Sequence, residues 1–179
     1  SAVGVVLDVH GLYEGLTAFQ NLLFFGELFS LSREAASQRA SELLRVAGLW
    51  NRRHDRVAAY SKGMKQRLAI ARSLMHHPRL LIMDEPISGL DPESRRATKD
   101  LIKRLAQDQS VTVLLSSHSL ADIEELCSKV AILSKGRLVA YDTVSSLRQS
   151  RDVSFIRITL ARGQGRASVD TVLASIKGV

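Results

Sequence analysis

Apolar residues at helical spacing dominate the first half of the chain after a short opening strand. Residues 3–7 form a β-branched run that predicts a buried strand. From residue 17 to residue 77 the apolar positions recur with a helical period, without the alternation of a strand, so this segment is predicted to be an all-helical block. Its three helices are expected to begin at Thr17, Ser32 and Ser61, and the second and third to end at Gly48 and Pro78.

The second half of the chain alternates short apolar strands with helical segments. Residues 80–83 are continuously apolar, as are strands buried on both faces of a parallel sheet. Asp91 and Pro92 form a helix start, in which a capping side chain precedes proline at the first helical position. This alternation predicts an α/β fold with a largely parallel sheet and right-handed crossovers. Further predicted elements are strands at 111–115, 130–133 and 137–141, a helix at 120–127, and an alternating segment at 153–160.

The predicted elements divide the chain into four parts. Residues 1–16 hold the opening strand and its loop, residues 17–77 the helical block, and residues 78–150 the α/β half. Residues 151–179 are expected to begin a C-terminal extension. Because residues 1–7 read as an interior strand, we expect the chain to be cut from a longer one.

Composition narrows the class of protein without naming a function. Hydrophobic residues make up 45% and charged residues 24%, as in a globular protein with an ordinary core. The net charge is +7, but the basic residues are spread along the chain and aromatic residues are few, so no nucleic-acid partner is expected. No apolar run approaches the roughly 20 residues that span a bilayer. The single cysteine, Cys127, excludes an intramolecular disulfide.

A small polar residue and a glycine stand at the predicted start of a basic helix. Ser61 and Gly63 lie where backbone N–H groups and the positive helix end can meet phosphate oxygens. Gly63 is expected to let a ligand approach the backbone, since a side chain there would collide with it. The competing interpretation is an ordinary N-cap, which stabilises a helix by about 1 kcal/mol.

Two adjacent carboxylates follow the apolar strand of residues 80–83. Asp84 is expected at the carboxyl end of that strand, where α/β proteins bind ligands, and is suited to hold Mg²⁺. Glu85 is suited to orient or deprotonate an attacking water. The competing interpretation is a solvated pair of acids at a strand end.

A histidine follows the next predicted strand. His118 can contact a terminal phosphate and position a water if its strand lies beside the two carboxylates. By itself, such a residue is more often a surface histidine. Residues 88–91 (Ser-Gly-Leu-Asp) read as a turn and a helix cap, a structural role that is compatible with a functional one.

Taken together and in this order, the motifs resemble the nucleotide-binding subunit of ATP-binding cassette (ABC) transporters. The resemblance covers residues 3 to about 145. Residues 60–64 are similar to the family signature, in a form typical of drug- and polymer-export members, and residues 80–85 to the Walker B strand with its catalytic glutamate. Residues 88–91 resemble the D-loop, His118 the switch histidine, and residues 130–141 the late hairpin of the family.

The resemblance implies a mechanism with ATP and Mg²⁺ as cofactors. Two such subunits stack head to tail, so that Ser61, Lys62, Gly63 and Met64 would meet the ATP of the partner subunit, while Asp91 communicates across the dimer. Glu85 and His118 would be catalytic in their own subunit, with Asp84 and Asp8 at the metal. The expected partners are a transmembrane permease and a second nucleotide-binding subunit, at the cytoplasmic inner face of the cell membrane.

The chain departs from the family pattern at two places. It contains no G-x-x-x-x-G-K-[ST] loop to cradle the β- and γ-phosphates; the segment Gly-Gln-Gly-Arg at 163–166 lacks the Lys-Ser/Thr ending. Where the family places a glutamine after the first strand, this sequence has Asp8. We therefore expect the chain by itself not to hydrolyse ATP.

Three other readings remain open at this point. In the first of these interpretations, the chain is a degenerate, non-catalytic half-subunit that contributes its signature motif to the ATP site of another subunit. It would also fit a chromosome-maintenance ATPase head, although residues 17–77 lack the sustained heptads of those proteins. Finally, ABC proteins acting on translation usually carry two cassettes, a class that one short chain does not exclude.

Overall fold

A computed structural model describes residues 2–7, 11–108, 111–149 and 156–161. Asp8, predicted to hold metal, and the glycine-rich segment 163–166 lie outside the described residues. Within the described part of the chain, no helix is both long enough and apolar enough to cross a membrane. The elements are β1 (Val3–Val6), α1 (Ala18–Leu28), α2 (Arg33–Val46), α3 (Lys62–Ser73), β2 (Leu80–Met83), α4 (Pro92–Asp108), β3 (Thr112–Ser117), α5 (Leu120–Leu126), β4 (Lys129–Ser134), β5 (Arg137–Thr143), α6 (Val144–Gln149) and β6 (Ile156–Ala161), with 3₁₀ turns at Trp50–Arg52 and Val57–Ala59.

The helical block begins its helices at the predicted caps. Thr17 forms a complete capping box: its hydroxyl accepts from the backbone N–H of Gln20, and the Gln20 side-chain oxygen accepts from the backbone N–H of Thr17. The hydroxyls of Ser32 and Ser61 accept from the amides of Ala35 and Met64 and so cap α2 and α3. These local hydrogen bonds confirm the three predicted starts.

The structure agrees with the predicted stop of α2 but ends α3 earlier than predicted. Gly48 follows α2 with φ of +68°, a left-handed conformation that glycine adopts without steric cost. The helix α3 ends at Ser73, several residues before Pro78. Leu74 and Met75 continue the chain in turn conformation and are buried, so packing ends the regular helix ahead of the proline.

One six-stranded sheet runs through the described residues in the order β1-β2-β3-β6-β4-β5. β1, β2 and β3 are parallel neighbours, whereas β6 is antiparallel to both β3 and β4. Four of the six strands, β1 to β4, therefore share one direction, in agreement with the predicted largely parallel sheet. The hairpin of β4 and β5 is antiparallel and turns at Lys135 and Gly136, as the sequence predicts.

The C-terminal strand lies in the sheet rather than outside it. Ile158 is paired with Ser116 of β3 on one side and with Ala131 of β4 on the other. The sequence pattern marks residues 153–160 as a strand but carries no information about its neighbours. Without β6, both β3 and β4 would present unpaired backbone groups along an open edge, which is unfavourable.

Helices cover one face of the parallel strands. Val6, Leu81, Met83, Val113 and Leu115 share this face and are almost fully buried. At Gly4, on the same face, a Cβ atom would meet the carbonyl oxygen of Ser73 at 2.5 Å, so the end of α3 packs directly on β1. On the opposite face, Val3 and Val5 are exposed. The core therefore lies between the sheet and the helices, and the carboxyl ends of β2 and β3 emerge at its rim.

Candidate functional site

The two predicted acids and the predicted histidine come together at the carboxyl ends of β2 and β3. These strands are parallel and Met83 is paired with Leu115, so Asp84 follows its strand beside Ser116. Glu85 comes next on one chain segment and His118 lies just beyond β3 on the other. Neighbouring parallel strands end at the same edge of a sheet, which is why residues more than 30 positions apart meet here.

Ser116 links the two acids through its hydroxyl group. Its Oγ donates to Oδ1 of Asp84 at 2.6 Å and accepts from the backbone N–H of Glu85 at 2.9 Å. The sequence interpretation missed this residue, because a serine inside a strand carries no chemical signature of its own. The signal available was its position two residues before His118 and directly after the strand predicted at 111–115.

Glu85 is held in an unusual backbone conformation. Its φ is +45°, a region that side-chain-bearing residues rarely adopt and that costs of order 1–3 kcal/mol. Its Oε1 lies 2.9 Å from Nδ1 of His118, within hydrogen-bond distance. The His118 side chain is 75% exposed and that of Glu85 only 30%, so the pair faces solvent at the rim of the sheet. A substrate approaching from that side would meet the imidazole first.

The residues at this edge fit a magnesium ion. Asp84 offers a hard carboxylate donor, and Mg²⁺ is commonly held by one or two carboxylates together with substrate phosphates and waters. Among the described residues no group of three His, Cys, Asp or Glu side chains converges on one point. The site therefore fits a metal whose remaining ligands come from a bound phosphate and from water. Asp84 is the side chain that would hold this metal.

The predicted phosphate-binding helix start is exposed and capped. Ser61 is exposed and its Oγ accepts from the amide of Met64 at 3.2 Å, so its hydroxyl already serves the helix. Tyr60, just before it, is buried and donates to the carbonyl of Arg52 at 2.7 Å. Burial, together with the charge of Asp55, raises the pKa of Tyr60 to about 12. Tyr60 therefore fixes the start of α3 to Arg52, while Ser61 and Lys62 stay exposed to solvent.

Lys62 is tied to the loop that precedes α4. Its Nζ donates to the carbonyl of Ser88 at 3.1 Å, and a Cβ atom at Gly89 would lie 2.6 Å from the same Nζ. Gly89 also has φ of +66°, which disfavours any other residue. The ammonium group predicted to meet a nucleotide therefore contacts the turn at Ser88 and Gly89.

Gly63 has a packing reason of its own to be glycine. It is buried, and a Cβ atom there would collide with the Cβ and Oγ atoms of Ser94 in the first turn of α4. The sequence interpretation attributes this glycine to the close approach of a ligand. The contact with Ser94 is sufficient to require glycine at this position without any ligand.

Changing Gly63 to Ala is expected to lower the free energy of unfolding by about 1–3 kcal/mol, because the added methyl group overpacks the contact with Ser94. The measurement is urea unfolding without nucleotide. In the matched control, Gly15→Ala, the added methyl has open space and stability should change little. In a Ser94→Gly background, which lacks the colliding atoms, the same Gly63→Ala change should cost little. Full stability of the single variant Gly63→Ala would contradict the packing explanation.

Asp91 caps α4 as the sequence predicts. Its Oδ1 accepts from the backbone N–H groups of Ser94 at 2.9 Å and Glu93 at 3.1 Å. These hydrogen bonds, the one from Ser94 above all, lower the pKa of Asp91 below its usual value. An ionised carboxylate at a helix N-terminus is also favoured by the helix dipole. The side chain is exposed, so the capping role leaves it accessible.

A charged network behind the site joins α4 to α5. Asp122 is 4% exposed, and its Oδ2 and Oδ1 lie 2.5 Å from Arg95 Nη2 and 2.7 Å from Lys99 Nζ. Arg95 also reaches Ser119, the residue after His118, at 3.4 Å. Burial by itself would raise the pKa of Asp122, but hydrogen bonds from Arg95, Lys99 and Ser119 outweigh it and lower the pKa. Sequence patterns gave no indication of this network.

Comparison with known proteins identifies the family. The family model described as "ABC transporter" matches residues 1–88. The chain is 39% identical over 145 residues to the linearmycin resistance ATP-binding protein LnrL of Bacillus subtilis, covering 81% of this chain and 46% of that relative. It is 37% identical over 177 residues to the daunorubicin/doxorubicin resistance ATP-binding protein DrrA of Streptomyces peucetius, covering 97% of this chain and 53% of the relative.

A solved structure supports the fold in particular. The structure of cbiO1 from Clostridium perfringens, described as part of the ABC transporter complex cbiONQ, superposes with a TM-score of 0.77 at 22% identity. The match covers 84% of this chain and 60% of that one. The chain spans about half the length of the curated relatives it matches. By sequence, the chain belongs to the ATP-binding proteins of ABC transporters.

Proposed function

We propose that these residues form part of a subunit that hydrolyses ATP to energise an ABC exporter. The observation that carries the proposal is the cluster of Asp84, Glu85 and His118 at one edge of the sheet, with His118 Nδ1 2.9 Å from Glu85 Oε1. A carboxylate beside a strand-end aspartate suits phosphoryl transfer to water, because one group can orient the water while the other holds the cation.

Each side chain has a distinct task in this scheme. Glu85 orients and deprotonates the attacking water, and His118 keeps the Glu85 carboxylate in place and contacts the terminal phosphate. Asp84 holds Mg²⁺, which neutralises charge on the phosphates when bound. Ser61, Lys62, Gly63 and Met64, at the open start of α3, meet the terminal phosphate of the ATP bound by a second subunit, and Asp91 lies at the junction between the two subunits.

The phosphate loop for the β- and γ-phosphates is not among these 179 residues. We assign it to a segment of the full-length protein outside this chain, which by itself should then not hydrolyse ATP. Export is favoured by the relatives LnrL and DrrA, which are named for linearmycin resistance and for daunorubicin/doxorubicin resistance. The partners are a transmembrane permease and a second copy of the subunit, at the cytoplasmic face of the membrane.

Mixing two inactive variants of the full-length protein tests the head-to-tail arrangement. Glu85→Gln removes the water-activating group and Ser61→Arg blocks the helix start, so each variant alone should be inactive. In a mixed dimer, one of the two sites combines an intact Glu85 with an intact Ser61 of the other subunit. Random pairing should therefore restore about a quarter of the wild-type ATPase rate, because about half the dimers are mixed and each has one intact site.

The opposite results are equally informative. If Ser61 acts within its own subunit, no mixed site is intact and the mixture stays inactive. If the wild-type protein binds ATP but does not hydrolyse it, the degenerate half-subunit is the correct reading. Isolated subunits carrying Ser61→Arg should still bind ATP; loss of binding by the monomer contradicts the assignment between subunits.

A further inference from the structure

We propose that Ser116 is a positioning residue that holds the metal-binding carboxylate and the water-activating residue through one hydroxyl group. The inference rests on the proposed ATP hydrolysis, because it gives Ser116 a role in the same site. It concerns a residue that neither the sequence motifs nor the family signature marks. Ser116 acts on the chemistry through Asp84 and Glu85 and does not itself touch the reacting atoms.

The direction of both hydrogen bonds of Ser116 is determined by its partners. The backbone N–H of Glu85 can only donate, so Ser116 Oγ, 2.9 Å away, must accept. The Ser116 proton is then available to Asp84 Oδ1 at 2.6 Å, where an ionised carboxylate can only accept. One hydroxyl therefore uses its single donor on the first acid and an acceptor site on the second.

For Asp84, the consequence is a fixed carboxylate orientation. A strand-end aspartate in solvent rotates about its side-chain torsions, and the loss of that freedom opposes metal binding. Ser116 engages Oδ1 before any cation arrives, so the carboxylate does not have to be ordered by the cation. Groups that orient a ligating side chain in this way commonly change metal affinity or activity by about 10- to 100-fold when removed.

For Glu85, the same hydroxyl stabilises a strained turn. The φ of +45° is unfavourable for a residue with a side chain, and the bond from its amide to Ser116 ties that turn to β3. The turn directs the Glu85 carboxylate toward His118, whose Nδ1 lies 2.9 Å from Oε1. Ser116 thus places the metal-binding and the water-activating carboxylates relative to each other.

The neighbouring serine provides a matched control. Ser117 is the next residue of β3, lies on the other face of the sheet and is buried. Its Oγ accepts from the backbone N–H of Ser119 at 3.1 Å. Ser116→Ala and Ser117→Ala therefore remove the same atom from the same strand, but only the first removes a contact with the two acids. Ser116→Thr keeps the hydroxyl and suits a strand.

The first measurement is the affinity of the full-length protein for Mn²⁺ in the presence of ATP, determined by electron paramagnetic resonance. Ser116→Ala should weaken Mn²⁺ binding by about 10- to 100-fold. Ser116→Thr should restore most of the affinity and Ser117→Ala should leave it unchanged. Wild-type affinity in Ser116→Ala, or a loss of similar size in Ser117→Ala, would overturn the positioning role.

A second measurement does not depend on nucleotide. NMR of the full-length protein measures the hydrogen-exchange rate of the Glu85 amide. This rate should be about 2- to 12-fold faster in Ser116→Ala, the range expected for the loss of one hydrogen bond. If the wild-type protein binds no Mn²⁺ with ATP, the proposed function fails, and this exchange rate alone then decides the role of Ser116. An unchanged rate refutes it; a faster rate that Ser116→Thr reverses supports it.

Discussion

Changing Glu85 to Gln in the full-length protein is expected to lower kcat for ATP hydrolysis by about 10²–10⁴-fold, the contribution of a positioned general base. The amide has nearly the shape of the carboxylate but does not accept the proton of the attacking water. ATP affinity should remain close to that of the wild type, because the Glu85 carboxylate meets the water rather than the nucleotide. The measurements are steady-state phosphate release and equilibrium ATP binding.

The matched control for this change is Glu27→Gln. Glu27 is exposed at the end of α1, in the helical block, and its loss of charge should leave kcat unchanged. Equal rates for Glu85→Gln and the wild type would remove Glu85 from its proposed role. A parallel loss of ATP binding would instead assign Glu85 to holding the nucleotide. The two readouts therefore separate a catalytic from a binding function.

Changing Asp122 to Ala is expected to lower the free energy of unfolding by about 3–5 kcal/mol, as for other buried ion pairs that lose one partner. Lys99 is 13% exposed and would lose a carboxylate 2.7 Å from its Nζ, keeping only Glu125 at 2.5 Å. Arg95 is 41% exposed and can turn toward solvent, which favours the lower end of the range. Urea unfolding at pH 7 measures the loss.

The exposed end of the same network supplies the control. Lys103 and Glu125 are 35% and 43% exposed and lie 2.8 Å apart, so Lys103→Ala should cost no more than about 1 kcal/mol. A similar loss for Asp122→Ala would mean that burial does not strengthen this network. A loss of several kcal/mol for Lys103→Ala would equally contradict the expected order.

The stabilisation by Asp122 should also depend on pH in one direction. The folded-state pKa of Asp122 is lowered, so its contribution is fully present above the unfolded-state pKa of about 4 and is lost as the pH falls through the lower, folded-state value. The stability difference between the wild type and Asp122→Asn should therefore be constant from neutral pH down to about 5 and shrink below about 4. A difference that grew toward acid pH would indicate a raised pKa instead.

Local sequence rules predicted the helical block well. The starts at Thr17, Ser32 and Ser61 depend on a side-chain oxygen reaching an amide three residues later, a contact that any chain with that sequence can form. The strand of residues 80–83 also agrees with the structure, because four large apolar residues before two acids have few other arrangements. The strand predicted at 111–115 runs instead from Thr112 to Ser117, since pairing with β6 continues into its polar end, past the last pair with β2 at Leu115.

The site was predicted in its acids and histidine but not in the contacts that hold them. Asp84, Glu85 and His118 are recognisable because each follows an apolar run, and parallel strands end at a common edge. Ser116 escaped notice because its role depends on the register of β2 against β3, which Asp84 and Ser116, 32 positions apart, do not reveal. Asp8 lies outside the described residues, so its proposed contact with the metal stays a prediction.

The sequence by itself determined most of the elements, the caps of their helices and the candidates for chemistry, because these depend on neighbours a few positions away and on residue types. The tertiary structure alone decided that β6 lies between β3 and β4, that Gly63 must be glycine because of Ser94, and that Lys62 donates to Ser88. Each of these contacts joins segments that are distant along the chain. The relative placement of such segments is set by strand register and helix packing. Residue identity limits which contacts are possible, and the packed fold selects among them.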